Sequence, residues 1–584
     1  MKQTASPEAE GSPSGAGGAP PKAGVLAAPL TGGSVFAGYY FLIAFQPGIL
    51  RSDDFGYLRS VIETLRHGRP YTYDWLAPYG ATMSSLCAGI YRLSGSFYLS
   101  TYGFQALCAL AVFILLYRLL AKRVAPWSAA ALTLVFTTFP LFFSKAADFH
   151  GSTSTLALFL MALLFFEAGK PALFFLASFL AFANRQSHVA LLILPVLTAL
   201  AALLSPWRAA LMGFRGDGPD SAFSGWKTWL WTGAFLAAAA GLHLRMNKTY
   251  AMAHAVFTDY GSGRLPAVTL ALLAGCFVTM AFLAVFRSAF NPPWKTLAGN
   301  LKRPALPIAA SAVLLIMSRF WPPTLVLTDT PLFGYAGWPQ VNAVLPWIIS
   351  VCIWFLDFRM LKPSPYLAVI GGFILIASLR GIWWDYYFLE IMVLCLLMAA
   401  GGDSRRALPW LRTAPWILAL VLIGNFAYGY LFRVQMDKQK LSVTVLERLD
   451  REGRISVDRM SSATFGYLGW KLFDYFLANE GREYRELPDF LGYVRKERIS
   501  IETHLPWRRA YKGELPPGAE LLESGTFRIG FTKVAYRVSD LHGPGGDFQV
   551  QGRFMTLDSS RYRSPRFPLN DREWKAWLDS LPGL

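Results

Sequence analysis

The sequence predicts an all-α polytopic membrane bundle of about thirteen transmembrane helices, with a small C-terminal α+β domain outside the membrane. Three observations lead there. Hydrophobic residues make up 54% of the 584 residues and charged residues only 16%, against about 25% charged in a soluble domain. The shortage of charge is uneven: apolar runs dominate from about Gly24 to Phe432, whereas residues 433–584 carry 25 Lys and Arg against 21 Asp and Glu. The apolar runs also recur at lengths near the roughly 20 residues that cross hydrocarbon.

Three regions follow. Residues 1–23, MKQTASPEAEGSPSGAGGAPPKA, are too poor in apolar surface to offset their ordering entropy, and are expected to be a disordered cytoplasmic tail. They do not read as a signal peptide, because the apolar run starts late and no cleavage pattern follows it. Residues 24–432 form the transmembrane domain, with spans expected at about 25–50, 97–119, 126–143, 152–168, 171–184, 188–204, 228–244, 266–286, 305–318, 340–357, 366–380, 386–401 and 415–432. Residues 433–584 form the soluble domain, with helices expected near Val443–Asp450 and Gly466–Ala478 and strands near Ile455–Val457, Ile499–Glu502, Phe527–Phe531 and Phe548–Val550.

Loop charge sets the orientation. Arg118, Lys122 and Arg123, then Lys170, Arg208, Arg287, Lys295, Lys302, Arg303, Arg359 and Arg405 fall in one alternating set of loops, which the positive-inside rule assigns to the cytoplasm. An odd number of spans then puts the C-terminal domain outside. The net charge of +18 is accounted for by these loops and by lipid phosphates; no nucleic-acid motif is present. Cys87, Cys108, Cys276, Cys352 and Cys395 lie in or beside apolar runs without CxxC pairing, so they read as small core hydrophobes. No ligand spacing supports a metal, and no cofactor is expected.

The outer loops still hold Arg51, Lys145, Arg185, Arg245, Lys248 and Arg380. A phosphate-bearing ligand at the outer leaflet would explain cations on the translocated side; contact with lipid headgroups is the bland alternative. The first outer loop, residues 51–96, opens RSDDFGYLRSVIETLRHGRPYTYDWLAPYG. Asp53 and Asp54 sit at the membrane boundary, where a carboxylate is a functional candidate by default, although Asp53 also suits a helix cap. Phe55, Leu58, Ile62 and Leu65 recur at helical spacing, so the helix that follows is amphipathic and expected to lie flat on the membrane.

Asp53-Asp54-Phe55-Gly56-Tyr57, then Gly68, Pro70, Trp75 and Pro78, resembles the first outer loop of the GT-C superfamily of polytopic glycosyltransferases. The nearest likeness is to bacterial lipid A aminoarabinose transferases and protein O-mannosyltransferases, which carry Asp-Glu-x-x-Tyr, an amphipathic helix, a Gly and an aromatic/Pro stretch. The likeness extends over about residues 25–432, to a polar cluster before the fourth span (Lys145, Asp148, His150) and to an aromatic pair opening a late span (Tyr386, Tyr387). Asp54 stands where the family has Glu, and Asn184-Arg185-Gln186-Ser187-His188 stands where it has a Lys-Gly turn.

The resemblance implies a GT-C-like fold in a bacterial inner membrane. It implies transfer of a sugar from a polyprenyl-phosphate carrier to a hydroxyl of an envelope lipid, glycan or protein, with inversion. Asp53 would be the general base and Asp54 its neighbour in the catalytic pair. Tyr57, Lys145, Asp148, His150, Arg185, His188, Arg245, Lys248, Arg380, Tyr386 and Tyr387 would contact substrate; for Lys145, Arg185 and their neighbours the alternative is interfacial or interhelical hydrogen bonding. A transporter or flippase for a lipid-linked sugar, an envelope polymerase or ligase of another type, and a non-catalytic envelope scaffold are the competing readings. A reporter fused after Phe432 should be active only if it works outside the cytoplasm; cytoplasmic activity there would remove the odd-span topology.

Overall fold

A computed structural model describes residues 22–45, 52–70, 80–203, 220–223, 225–258, 265–290, 293–319, 325–326, 338–361, 364–379, 383–384, 387–400, 415–454, 499–503, 515, 518–540, 548–550, 553–555 and 571–580. The chain is mostly helical over these residues. In order come α1 (Lys22–Tyr39), α2 (Ser52–His67), α3 (Ala81–Ser94), α4 (Phe104–Ala121), α5 (Pro126–Thr138), α6 (Pro140–Ala147), α7 (Gly151–Glu167), α8 (Pro171–Asn184) and α9 (Ile193–Leu203). Then follow α10 (Asp220–Phe223), α11 (Trp226–Thr258), α12 (Leu265–Ser288), α13 (Pro293–Lys302), α14 (Ala305–Ser318), α15 (Trp338–Trp354), α16 (Pro365–Ser378), α17 (Phe388–Ala400) and α18 (Pro415–Arg451). Two-residue strands β1 (Leu325–Val326) and β2 (Trp383–Trp384) pair in parallel.

Helix covers the body of every segment expected to span. Among the described residues four helical stretches are long and apolar enough to cross a membrane: Leu26–Ile43, Leu99–Ala121, Val268–Ser288 and Leu418–Leu449. Counting the bent pairs α5–α6 (64°) and α13–α14 (96°) as one span each brings the number to six. Helices α7, α8, α16 and α17 run 13–17 residues, roughly 20–25 Å at 1.5 Å per residue, short of a 30 Å hydrocarbon layer. Exposed Leu30, Leu107, Ile114, Leu230, Ile308, Ile316, Val351, Leu420 and Ile423 give several of these helices an apolar exterior, the kind of surface that lipid covers.

Three differences from expectation matter. The expected span 126–143 is bent because Pro140 restricts Phe139 to an extended backbone (ψ 136°). Residues 245–258, expected as an outer loop with Arg245 and Lys248, continue α11 instead; an Ala-rich AMAHAVF stretch favours helix. The boundary expected at residue 432 falls inside α18, 37 residues without a break. Helix propagation does not require constant polarity, so apolar and polar composition meet within one rod, and the helix expected at Val443–Asp450 is its last turns. The segments expected at Ile455–Val457 and Gly466–Ala478, and the tail 1–21, lie outside the described residues.

Beyond α18, strands β3 (Ile499–Thr503), β4 (Glu520–Ile529) and β5 (Thr532–Asp540) form an antiparallel sheet in the order β3-β5-β4. Strands β6 (Phe548–Val550) and β7 (Arg553–Met555) pair separately, and α19 spans Asp571–Asp579. The β4–β5 turn docks on α18. Gly530 there takes φ +60°, a conformation that suits glycine, and donates its N–H to Asp437 (2.7 Å), which also receives Arg433 (2.9 Å). Phe531 stacks on Tyr430.

Two cores result. The larger runs through the bundle from α1 to α18. The second joins Leu58, Val61 and Ile62 of α2 to Met83 and Cys87 of α3, Leu441 and Leu446 of α18, Val534 and Val538 of β5, and Trp574 and Trp577 of α19. The apolar face of α2 therefore packs into protein, which corrects the expectation that it lies flat on the membrane. A face of that width buries equally well against either apolar partner, and periodicity alone does not distinguish them. Helix α19 is keyed to the α3–α4 connection. Asp571 accepts from the Ser96 hydroxyl (2.6 Å) and the Tyr98 N–H (3.0 Å), and Trp574 stacks on Phe97 at 4.2 Å.

Trp574→Ala removes a fully buried ring and should cost about 3–5 kcal/mol of local stability. Amide exchange of both 571–579 and 95–98 should rise together; unchanged protection at 95–98 would show that α19 does not brace that connection.

Candidate functional site

The polar residues of the bundle's interior collect where α6 breaks into α7. After Pro140 the short helix α6 ends at Ala147, Asp148 is extended (φ −89°, ψ 155°), and His150 caps α7 with its Nδ1 accepting from the Ser152 N–H at 3.1 Å. Carbonyls freed by the break find donors on three sides. Gln105 Nε2 donates to Lys145 (3.0 Å) and His150 (3.2 Å), the Thr153 hydroxyl to Lys145 (3.1 Å), and the Tyr40 hydroxyl to Ala146 (2.7 Å). Lys145, Asp148 and His150 are all buried. Lys145 and Asp148 do not share a helix face, because the helix ends between them.

Tyr57 reaches this break from α2. Its ring meets His150 edge-on at 5.0 Å. It also lies over Gly151, where a Cβ would stand 2.8 Å from Tyr57 Cε1. A side chain at 151 would push the ring away, so glycine is what lets Tyr57 sit on the start of α7.

Ser152 carries the network onward. Its hydroxyl meets the Arg185 guanidinium, which follows α8 in extended backbone and also donates to Glu390 (3.4 Å). Glu390 lies in the first turn of α17 and faces His188 Nε2 at 3.3 Å. His188 is fully buried, with Nδ1 at 3.2 Å from the Arg185 carbonyl and its ring against Phe159 and Phe373. The Arg185 guanidinium lies over the Tyr387 ring, 5.5 Å from its centroid. Beside it, Asn184 ties three helices: Oδ1 accepts from the Met83 N–H at the start of α3 (2.8 Å), and Nδ2 donates to Ser154 of α7 (3.1 Å).

The structure thus joins Tyr57, Lys145, Asp148, His150, Arg185, His188 and Tyr387 at one end of the bundle. It adds Glu390, Ser152 and Gln105, which sequence reasoning passed over. Glu390 had a signal, since it is the one charge in FLEIMVLCLLMAA, and an ionisable residue inside such a run is a functional candidate. Asp53 and Asp54 lie in the first turn of α2, and Arg245 and Lys248 in α11, with their side chains outside the described residues; Arg380 and Tyr386 lie outside them altogether. Among the described residues no group of three or more His, Cys, Asp and Glu is placed to hold a metal ion.

Chemically, the start of α7 presents the positive end of its dipole. Arg185, Lys145 and His150 stand near it together with the buried carboxylates of Asp148 and Glu390, and a guanidinium held by a carboxylate against an aromatic face has a geometry suited to planar anions. Compared with family models, curated proteins and solved structures, the chain has no match.

Glu390→Ala removes the carboxylate facing Arg185 and His188, and should destabilise the protein by about 3–5 kcal/mol, the scale for breaking a buried pair. Glu390→Gln keeps a hydrogen-bond acceptor and should lose less. Thermal unfolding in detergent checks this; equal, small losses in both variants would show that the charge is not held by its partners.

Proposed function

We propose that this chain is a membrane glycosyltransferase with about thirteen spans, moving a sugar from a polyprenyl-phosphate carrier to an acceptor hydroxyl on the extracytoplasmic side. The observation that carries the reading is the path Tyr57–His150–Ser152–Arg185–Glu390–His188, carried by side chains except where the Ser152 backbone N–H donates to His150. It joins the helix that bears Asp53 to a guanidinium just after α8 and a carboxylate in the first turn of α17. The resemblance of the first outer loop to GT-C enzymes supports the same reading.

In this proposal Asp53 takes the proton of the acceptor hydroxyl as its oxygen attacks the anomeric carbon. The bond from that carbon to the phosphate oxygen breaks, the electron pair leaves with the phosphate, and the anomeric centre inverts. Asp54 orients or tunes Asp53. Arg185, Lys145, Arg245, Lys248 and Arg380 neutralise the leaving phosphate, with His150, His188 and Asp148 positioning them. Tyr57, Tyr386 and Tyr387 line the sugar. No nucleotide is needed, because the carrier phosphate already serves as the leaving group. Acceptors would be an envelope lipid, glycan or protein, and the membrane a bacterial plasma membrane.

One observation favours a second reading. A buried Glu390 between His188 and Arg185 is also the kind of intramembrane ionisable group that transporters use, so a flippase for a lipid-linked sugar stands as the alternative.

Asp53→Asn separates them. Loss of the base should lower transfer from a defined polyprenyl-phosphate sugar by about 10²–10⁴-fold, while insertion and expression persist because Asn keeps the size and hydrogen-bonding oxygen of Asp in the first turn of α2. Transfer at the wild-type rate in that variant would remove the catalytic assignment and favour transport.

A further inference from the structure

The opposite kind of surface appears at α13. Helix Pro293–Lys302 turns through 96° into the apolar helix α14, and none of its residues is buried. Its apolar side chains follow helical spacing: Trp294, Leu297, Ala298 and Leu301 fall at i, i+3, i+4 and i+7. Trp294 is 63% exposed and Leu301 60% exposed. A broken span is a poor description of it, because Lys295 and Lys302 interrupt ten residues of which none is more than partly buried.

The helix is nevertheless held. Asn300 Nδ2 donates to the carbonyls of Trp354 (2.8 Å) and Leu356 (3.0 Å) at the end of α15. The segments that meet there are basic: Arg287 at the end of α12, Lys295, Lys302, Arg303 and Arg359 stand against a single carboxylate in the stretches 287–303 and 354–361, Asp357. Asp357 lies 4.0 Å from Arg287 and accepts from the Arg359 N–H. Arg287 also donates to the Ala399 carbonyl, so the end of α17 belongs to the same face.

We propose that α13 is an interfacial anchor that lies in the membrane plane and binds an anionic phospholipid surface, Trp294 and Leu301 entering the acyl boundary and Lys295, Lys302 and Arg303 meeting the headgroup phosphates. The right angle to α14 lays the helix parallel to the surface that α14 enters. Tryptophan favours the headgroup level, an amphipathic helix with a basic rim binds anionic lipid, and the Asn300 anchor fixes which face looks out. This rests on neither the glycosyltransferase nor the transporter reading.

The test uses the full chain with Trp294 or Leu301 replaced by p-benzoylphenylalanine, in nanodiscs of equal parts phosphatidylcholine and phosphatidylglycerol. After irradiation, mass spectrometry of the 293–303 peptide should show phospholipid adducts at both positions. Phosphatidylglycerol should exceed phosphatidylcholine about fivefold, the scale of one basic residue at an anionic surface. In a Lys295→Gln, Lys302→Gln, Arg303→Gln background the two lipids should react equally. Crosslinks to another segment of this chain or to a second copy, absence of lipid adducts, or an adduct ratio that ignores the three basic residues would each overturn the proposal.

Discussion

The Gln105 amide, donating to the carbonyls of Lys145 and His150, is the contact on which the candidate site depends. A helix that breaks inside an apolar bundle frees carbonyls that water cannot reach, and each costs several kcal/mol unless it finds a donor. Gln105 spans the break with one side chain, and Tyr40 and Thr153 satisfy what it leaves. Because these donors come from the turn directly after α1, from α4 and from α7, three parts of the bundle close on the break. His150 can then hold the extended conformation that caps α7, and Ser152 points toward Arg185. Without those donors the chain would gain by continuing α6 into α7, and the polar cluster would not form.

The second constraint is charge. A buried ion pair contributes little net stability, since desolvation offsets most of the attraction. Glu390 and Arg185 are therefore better understood as a positioning device than as a fold stabiliser. The pair contrasts with Glu167 at the far end of α7, which meets Arg123, Lys122 and the Tyr366 hydroxyl. There the half-exposed Lys122 keeps contact with the surroundings, and the cluster simply ties the α4–α5 turn to α7 and α16. At the Arg185 end the carboxylate is shut in with an imidazole and a guanidinium, and the contacts that link α7, the end of α8 and α17 are all buried or nearly so.

Much of the fold was legible because apolar periodicity reports burial directly: among the described residues helix lies within each expected span, although four to six stretches are long and apolar enough to cross a membrane, and strands lie at three of the expected places, as β3, β4 and β6. What periodicity does not carry is the identity of the partner. Leu58, Val61 and Ile62 give the same amphipathic pattern whether they meet lipid or Trp574, and the second core decides for protein. The site was half legible for a related reason. Cations in outer loops stand out against the positive-inside rule, so Lys145 and Arg185 were found. Glu390 was missed because its partners, His188 and Arg185, lie some 200 residues away, and Gln105 because an amide carries no charge signal. The side chains of Asp53 and Asp54 lie outside the described residues, so the acid pair rests on the sequence.

The placement of α2 ties these strands together. Asp53 and Asp54 begin the helix, Tyr57 touches the α7 cap one turn later, and Leu58, Val61 and Ile62 enter the core shared with α18, the β4–β5 sheet and α19. Composition divides the chain at residue 432, but packing does not: α18 runs through the divide and the C-terminal elements complete the hydrophobic surroundings of the first outer loop. The C-terminal region therefore supports the helix that presents the acid pair, and a change in its packing has a physical route to Tyr57 and His150 that passes through a single rigid element.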